Sequence, residues 1–431
     1  MLKNFIKELE WREMIQDIIP GTEEKLNAGS AVGYIGFDPT SDSLHIGSLV
    51  QILILRHFQM CGHKPIFLIG GATGMIGDPS GKSSERNLLS QTELKHNIKA
   101  IKKQLSKFLD FNSKEPNAAI ICDNSNWFDK INLIDFIRDY GKHLTVNYMI
   151  AKDSVKNRIN GSSKNGMSFT EFTYQIIQAY DFFYLHKNHN CIIQMGGSDQ
   201  WGNITSGVEL IRKKTSKKVF AMTCPLITKT DGSKFGKTED GNVWLDKKKT
   251  SPYKFYQYWL NISDEDAINY IKIFTFKNKS EVRKYIKEHQ EFPHKRLIQK
   301  LIANYLTKLV HSQNDLDNAI NASNILFGKS TSKELSQLDE DTFLDVFEGV
   351  PKVSLKMRLL KSKLNIIDFI QKTGFLKSKS EITRSLKENS ISINKEKVNF
   401  NSEISSNNLI CKKYIVLQRG KKNYFLVAME H

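Results

Sequence analysis

The 431 residues carry 63 Lys and Arg against 46 Asp and Glu, a net charge of +17, with 40% apolar and 25% charged side chains. That is the composition of a soluble globular chain long enough for two or three domains. No apolar run approaches a bilayer span, no signal-peptide core opens the chain, and the five scattered cysteines, with no C-x-x-C pair, suggest neither a zinc site nor a disulfide framework.

The chain opens on "MLKNFIKELEWREMIQD", an amphipathic helix of mixed charge. Short β-branched runs then alternate with longer helical patterns. "AVGYIGF" (31–37), "PIFLIG" (65–70), "AAIICD" (118–123), "CIIQM" (191–195) and "VFAMTC" (219–224) read as buried strands, with helical periodicity in 88–109 and 133–153. Most of these strands run straight into Gly, Asp, Asn or Ser. The pattern predicts an α/β, doubly wound parallel sheet of Rossmann-like type, whose ligands sit beyond the carboxyl ends of the strands. From about 250 to 327 the sequence is helical and lysine-rich, and 329–360 reads as a loop-rich linker. The tail predicts a helix opened by a capping box at Ser378 and Glu381, a hairpin of Ile391, Ile393 and Val398 around "NKEK", and further strands. Residues 361–431 hold 14 Lys and Arg against 6 Asp and Glu, nearly half the excess charge in the last sixth of the chain. Such concentration points to nucleic acid.

Several stretches carry chemistry. "GMIGDPSGKSSERN" (74–87) nearly reads as a phosphate-binding P-loop, but the residue five before Gly81 is Ile76, and Pro79 removes a backbone donor. Lys82 and Arg86 on this glycine-rich turn still suit a polyphosphate clamp. In "YIGFDPTSDSLHIGS" a strand ends at Phe37, Asp38-Pro39-Thr40 breaks it, and Ser43 can cap a helix beginning near Leu44. His45 and Gly47 then lie in a first turn whose N–H groups and dipole favour phosphate, and Gly47 lets a flat base approach. Tyr174, Gln178 and Asp181 stand at i, i+4 and i+7, a polar stripe on one helix face. Gly196 and Gly197, followed by Asp199 and Gln200 at a strand end, suit ribose hydroxyls. Lys234 and Lys237 flank Gly236 in "KTDGSKFGKTEDG", a polar loop suited to closing over polyphosphate. Each stretch alone also has an ordinary reading: a capped helix with a chance histidine, a buried hydrogen-bonded network, a turn, a solvated basic loop.

Together, "DPTSDSLHIGS", "GDPSGKSSER", "YQIIQAYDF", "GGSDQWGN" and "KFGKT" resemble, in that order and over nearly the whole length, the tyrosyl-tRNA synthetases of the bacterial type, a class I family. The basic tail is similar to the RNA-binding module of ribosomal protein S-four. The resemblance implies a catalytic domain at 1–246, a helical anticodon-binding domain at 247–328, a linker at 329–360 and an RNA-binding domain at 361–431. It implies a cytoplasmic homodimer that activates tyrosine with ATP and transfers it to tRNA, with Mg²⁺ carried by ATP, no tightly bound cofactor and no metal held by the protein.

By the same resemblance, Thr40, His45, Lys82, Arg86, Lys234 and Lys237 meet charge on the phosphates. Tyr34 and Asp181 take the phenolic hydroxyl; Asp78, Tyr174 and Gln178 the α-ammonium; Gln194 and Gln200 the carboxylate side. Asp38 and Asp199 contact adenosine, with Gly47 and Ser48 beside the nucleotide. Arg212, Lys213 and Lys214 at a helix end, and Lys377, Lys379 and Arg384 in the tail, are tRNA contacts. Two positions depart from the family: Ser48 stands where a second histidine is frequent, and Ile35 where cysteine is frequent, which weakens the expected contacts to the nucleotide sugar. A rival from another class, an RNA-binding protein on a synthetase scaffold, predicts damage to the lysine loop or the polar stripe, and neither is damaged. A tryptophan enzyme on the same fold is the nearer rival, against which Asp181 paired with Tyr34 argues for a phenol.

Overall fold

The apolar runs become the core of one six-stranded sheet, ordered β1-β6-β5-β2-β3-β4. Its strands are β1 (Asp17–Ile18), β2 (Val32–Phe37), β3 (Lys64–Ile69), β4 (Ile120–Asp123), β5 (Cys191–Gly197) and β6 (Phe220–Cys224). All pair in parallel except β1, a two-residue antiparallel edge on β6 that the sequence reading lacks. The computed structural model describes residues 3–80, 89–112, 114–152, 155–156, 167–232, 235–238, 241–327, 332–348, 350–360, 364–376, 378–420 and 423–430.

Parallel strands need both faces covered, and β3, β5 and β6 are buried almost throughout. The helix Ile46–Met60 is apolar over most of its surface because nine of its side chains, from Ile46 to Phe58, are buried, while Ser48, Gln51, Arg56 and Gln59 are only partly buried. The helix Phe169–His189 starts at a capping box between Ser168 and Glu171 and ends where Asn190 turns left-handed at φ 54°. Its inner face packs Ala179, Phe182 and Leu185 into the core beside Tyr34 and Cys191. The stretch 133–153 is not one helix: Leu133–Asp139, a 3₁₀ turn Gly141–His143 and Val146–Ile150 succeed one another, with Thr145 capping the last. Strand order places β2 beside both β3 and β5, so the chain leaves β2 in one direction and returns on its other side. That reversal opens a crevice at the carboxyl ends of β2 and β5.

Contacts divide the chain into two compact units, 1–249 with 262–302, and 250–261 with 303–431. The helical stretch 247–328, drawn from the sequence as one domain, is therefore shared. Asp264–Phe274 and Lys279–Glu291 belong to the first unit, Pro252–Leu260 and Gln313–Phe327 to the second. Arg12, only 1% exposed, ties the first pair inward by donating to the carbonyls of Lys272, Thr275 and Lys277 at 2.5, 2.7 and 2.8 Å.

In the second unit, the stretch read as a linker is structured. It holds helices Ser332–Ser336 and Glu340–Val346 and strand β9 (Lys352–Lys356). Alternation explains β9, since Val353 and Leu355 pack on the core while the lysines point out. After a hairpin of the first unit, β7 (Lys237–Thr238) and β8 (Gly241–Asn242), the later strands are β10 (Leu364–Asn365), β11 (Ile391–Ile393), β12 (Glu396–Lys397), β13 (Glu403–Ile404), β14 (Tyr414–Arg419) and β15 (Asn423–Glu430). β9 pairs with β15 in a five-stranded sheet, β12-β11-β14-β15-β9, so this fold begins before residue 361. The expected tail hairpin turns on Asn394 and Lys395, at φ 47° and 71°. Ser378 caps Lys379–Lys387 as expected, accepting from Glu381 N, and the Glu381 carboxylate accepts from Arg419 on β14 at 2.8 Å.

Candidate active site

A cavity of about 310 Å³ opens at the strand-end crevice. Four stretches far apart in sequence line it. Tyr34 to Thr40 and His45 to Gln51 come from β2 and the helix after it; Tyr174, Gln178 and Asp181 from one helix face; Gln194 to Gln200 from β5 and its 3₁₀ turn; Gly70, Thr73 and Asp78 from the loop after β3. The register that sets Tyr34 beside Gln194 across the β2–β5 pair makes the floor.

At its closed end, Tyr34 is fully buried, and its hydroxyl has no hydrogen-bond partner among the described residues. Burial, then the nearby Asp181 charge, pushes that phenol well above its usual range. Asp181, 2% exposed, accepts from Asn124 Nδ2 at 3.0 Å and Trp127 Nε1 at 2.9 Å. Burial nevertheless dominates and pushes the Asp181 carboxyl up to about 8, against the pull of those two donors. A buried acid and a partnerless hydroxyl at the end of an aromatic-walled cavity are complementary to a ligand that carries a hydroxyl on a ring.

The middle of the cavity is a carboxylate network. Asp38 accepts from Tyr174 Oη at 2.9 Å and from Thr73 Oγ1 at 2.7 Å. Asp78 accepts from Gln200 Nε2 at 2.6 Å, Asn203 Nδ2 at 3.3 Å and Ser80 N at 3.0 Å, and Gln178 Nε2 donates to Gln200 Oε1 at 3.4 Å. Burial and the charges of Asp38 and Asp78 together raise the Tyr174 phenol well above its usual range. The sequence reading set Asp38 at the nucleotide; the structure joins it to the helix stripe, because β2 ends directly opposite Tyr174. Gly70 makes this possible, since a Cβ there would lie 2.1 Å from Asp38 Oδ1 and 2.2 Å from Thr73 Oγ1.

The mouth is formed by the turn before Ile46–Met60. Here the sequence reading needs correcting: the N-cap is His45, not Ser43. Imidazole Nδ1 accepts from Gly47 N at 3.0 Å, so the ring proton sits on Nε2, which remains a donor. Ser43 is drawn away by Gln104, whose Nε2 donates to Ser43 Oγ at 2.9 Å. Gly47 is obligatory for this cap, because a Cβ would stand 2.8 Å from the imidazole. Thr40 and Ser48 line the cavity nearby. Asp199 lies over Gly197, where a Cβ would meet its carboxylate at 2.6 Å and Gln51 Nε2 at 3.2 Å.

Of the lysine loop, Lys237 opens β7, and Gly236, at φ 80°, rests against Ile46 and Gly47. Lys82, Arg86, Lys234 and Lys377 lie outside the described residues. Arg212 and Lys213 end the helix Trp201–Thr215, exposed and paired with Glu209 at 2.8 and 3.3 Å. Lys379 and Arg384 are exposed on the helix Lys379–Lys387 of the second unit. The sequence reading missed Gln51, Thr73, Asn124, Trp127 and Asn203. The signal available for Asn124 and Trp127 was their place just past β4, where the other site residues also follow strands. Among the described residues, no group of three or more His, Cys, Asp or Glu could hold a metal ion, and no helix is long and apolar enough to cross a membrane.

Residues 27–328 match the family model of class I tRNA synthetases (W and Y), and residues 342–427 that of the C-terminal domain of tyrosine–tRNA ligases. The tyrosine–tRNA ligase of Bacteroides thetaiotaomicron is 56% identical over 426 residues, 98% of this chain and 99% of its own. That of Flavobacterium johnsoniae is 57% identical over 431 residues, covering 99% and 100%. Among solved structures, a C-terminally truncated mitochondrial tyrosyl-tRNA synthetase of Aspergillus nidulans superposes with a TM-score of 0.66 at 30% identity, covering 75% of this chain and 94% of its own. A tryptophanyl-tRNA synthetase of Plasmodium falciparum shares the fold, with a TM-score of 0.51 at 13% identity over 80% of this chain and 91% of its own.

Proposed function

The chain belongs to the tyrosine–tRNA ligases, class I enzymes that charge tRNA with tyrosine through an aminoacyl adenylate, and we propose that the cavity between β2 and β5 is where that adenylate forms. A tyrosine carboxylate oxygen attacks the α-phosphorus of ATP, and the bond to pyrophosphate breaks with its electron pair leaving on pyrophosphate. A terminal ribose hydroxyl of tRNA then attacks the tyrosyl carbonyl carbon, loses its proton, and AMP departs. The carboxylate is already ionised at neutral pH, so the first step rests on positioning and on donors that meet phosphate charge.

The observation that carries this reading is the pair Tyr34 and Asp181, a partnerless hydroxyl beside a buried acid. They take the phenol. Asp78, Tyr174 and Gln178 take the ammonium, and Asp38, bonded to Tyr174, adds a second negative charge there. Gln194 and Gln200 flank the carboxylate. His45 Nε2, Thr40, Lys82, Arg86, Lys234 and Lys237 meet the phosphates, with Mg²⁺ arriving on ATP; Asp199, Gly47 and Ser48 meet the nucleoside. Arg212, Lys213, Lys377, Lys379 and Arg384 contact tRNA. The enzyme acts in the cytoplasm as a homodimer, and the exposed Leu133, Ile134, Ile137, Val146, Ile150 and Phe169 supply the apolar surface a partner subunit needs.

Pyrophosphate–ATP exchange with each amino acid supplied alone is the test. Tyrosine alone should support it; equal exchange with tryptophan or phenylalanine overturns the pocket assignment.

A further inference from the structure

Two cavity-mouth features far apart in sequence, the His45 turn and the lysine hairpin, are joined by one short segment, residues 243–246. On one side Val243 N donates to Gly236 O at 3.0 Å, directly before β7. On the other, Ile46 N donates to Val243 O at 3.0 Å, Leu245 N to Leu44 O at 2.8 Å, and Asp246 N to Ser43 Oγ at 3.1 Å. The same segment therefore borders the hairpin and the start of the helix Ile46–Met60. Its middle residue, Trp244, bridges to His45 in the backbone and sets its ring edge-on to the imidazole, with centroids 6.1 Å apart at 71°. Lys249 Nζ stands 5.1 Å over the Trp244 ring and 2.7 Å from Asp42 Oδ1, three residues before His45. The hairpin is pinned at its other root, where Phe235 packs on Tyr270 and Phe274 at 5.2 and 5.5 Å.

A purely structural role would need only the backbone ladder. The side-chain arrangement goes further, because Trp244 packs on the imidazole whose Nδ1 is already committed to Gly47 N, and the Lys249 cation stands over the indole ring. With Phe235 pinned and the ladder intact, a shift of β7 and β8 carries 243–245, and 243–245 carries 44–46. Phosphate-binding groups reached by such a route keep their mutual spacing as they move, and that spacing governs rate: a misplacement of about 1 Å can cost about a hundredfold.

We propose that Trp244, held by the Asp42–Lys249 pair, is a positioning residue for adenylate formation that keeps the His45 turn and the lysine hairpin in one register. The inference rests on the assignment of Lys237 to the departing pyrophosphate. Trp244 is not among the residues that line the cavity with Tyr34 and Asp181, so its effect belongs to the ATP step.

The test is single-turnover adenylate formation, equilibrium tyrosine binding and thermal melting of the full-length protein with Trp244→Ala, Trp244→Phe, Lys237→Ala and the double variant. Trp244→Ala should slow adenylate formation by about tenfold to a hundredfold and change tyrosine affinity by less than about twofold. Trp244→Phe, which keeps an aromatic face for both neighbours, should recover most of the rate. The double variant should be much faster than the product of the two single losses requires, because both act through one register. Independent, multiplying losses overturn the proposal, as does an unchanged rate in Trp244→Ala or an equal loss of tyrosine affinity. An unchanged rate in Lys237→Ala alone would instead sink the lysine assignment, while the rate of Trp244→Ala and its rescue by phenylalanine still decide the role of Trp244. If Trp244→Ala does not fold, Lys249→Met takes its place. That partly exposed pair adds little to stability, so a slower adenylate step at an unchanged melting temperature supports the proposal and an unchanged step overturns it.

Discussion

The strand-end cavity and the C-terminal sheet solve opposite problems. Around the cavity, polar atoms are buried without partners: Tyr34 Oη, Gln178 Oε1 and Gln194 Oε1 all line it in that state among the described residues. Between residues 350 and 430, Ser385 Oγ is the sole buried side-chain atom so placed among the described residues. There the core is apolar, with Phe369, Ile370, Ile382, Ile391, Ile415 and Val427 fully buried, and the charge stays at the surface. An unmade hydrogen bond in a dry site is costly, and where such atoms also line a cavity, as Tyr34 Oη, Gln178 Oε1 and Gln194 Oε1 do, a ligand can complete them. The described residues of the C-terminal sheet have no such deficit, and the RNA surface proposed there consists of exposed cations instead. On the proposed reading, one region recognises by a pocket and the other by surface charge.

Replacing polar ends in the cavity should therefore change specificity, and the largest effect is at Asp181. Tyrosyl-tRNA synthetases as a class are the reference case for selection by a hydroxyl, favouring tyrosine over phenylalanine by roughly 10⁵-fold. On the proposed pocket, phenylalanine would leave the buried Tyr34 hydroxyl without a partner and Asp181 with only its Asn124 and Trp127 donors, whereas Asp181→Ala removes part of that penalty. Exchange assays should find the preference for tyrosine sharply reduced in Asp181→Ala. A preference left intact would mean that Asp181 serves the core and not the ligand.

In the C-terminal sheet the same kind of truncation should change stability and nothing upstream. Ile415 is fully buried on β14, and Ile415→Ala should cost about 2–5 kcal/mol there. Denaturant melts should register that loss while pyrophosphate exchange stays at the wild-type rate. A matching fall in exchange at full folding would break the division between the two regions.

Much of this division was legible in the sequence, and the reasons differ by element. Strands β2, β3, β5 and β6 were readable because a parallel sheet buries continuous apolar runs, and the site because its residues follow those strands or stand at i, i+4, i+7. Asn124 and Trp127 followed a strand as the other site residues do, but that signal alone gave them no role, which depends on β4 lying beside β3, a pairing no local pattern announces. The cap at His45 was misread for a similar reason, since Gln104, 61 residues after Ser43, claims the serine. Strand β9 did alternate in sequence, but its pairing with β15 spans more than 70 residues, and five residues among loops gave no reason to expect a partner.

A smaller effect should come from the surface of the helix Lys379–Lys387. Lys379→Glu together with Arg384→Glu should weaken tRNA binding and flatten its dependence on salt by about two phosphate contacts, a change of roughly 1.8 in the logarithmic slope. Exchange should not change, because no RNA takes part in it. Binding isotherms at several salt concentrations measure the slope, and an unaltered slope would remove these two side chains from the RNA surface.

The smallest effect is the sharpest comparison, because one substitution is made in both regions with opposite signs expected. Tyr414 Oη donates to Glu340 Oε1 at 2.8 Å. Removing that hydroxyl breaks a made bond to a carboxylate, so Tyr414→Phe should lower stability by about 1 kcal/mol. Tyr34 is as well buried, but its hydroxyl has no partner among the described residues. Taking it away relieves a desolvated group that gains nothing until ligand arrives, so Tyr34→Phe should raise the stability of the free protein by up to about 1 kcal/mol. Tyrosine binding should show the reverse, with affinity down about tenfold for Tyr34→Phe and untouched for Tyr414→Phe. Melting curves with and without saturating tyrosine read both signs at once: the gain in Tyr34→Phe should shrink or invert when tyrosine is present, since the wild-type hydroxyl then has its partner. Two losses of equal size, indifferent to tyrosine, would mean that the Tyr34 hydroxyl is already satisfied in the free protein, and the cavity would lose the observation that marks it as the site of recognition.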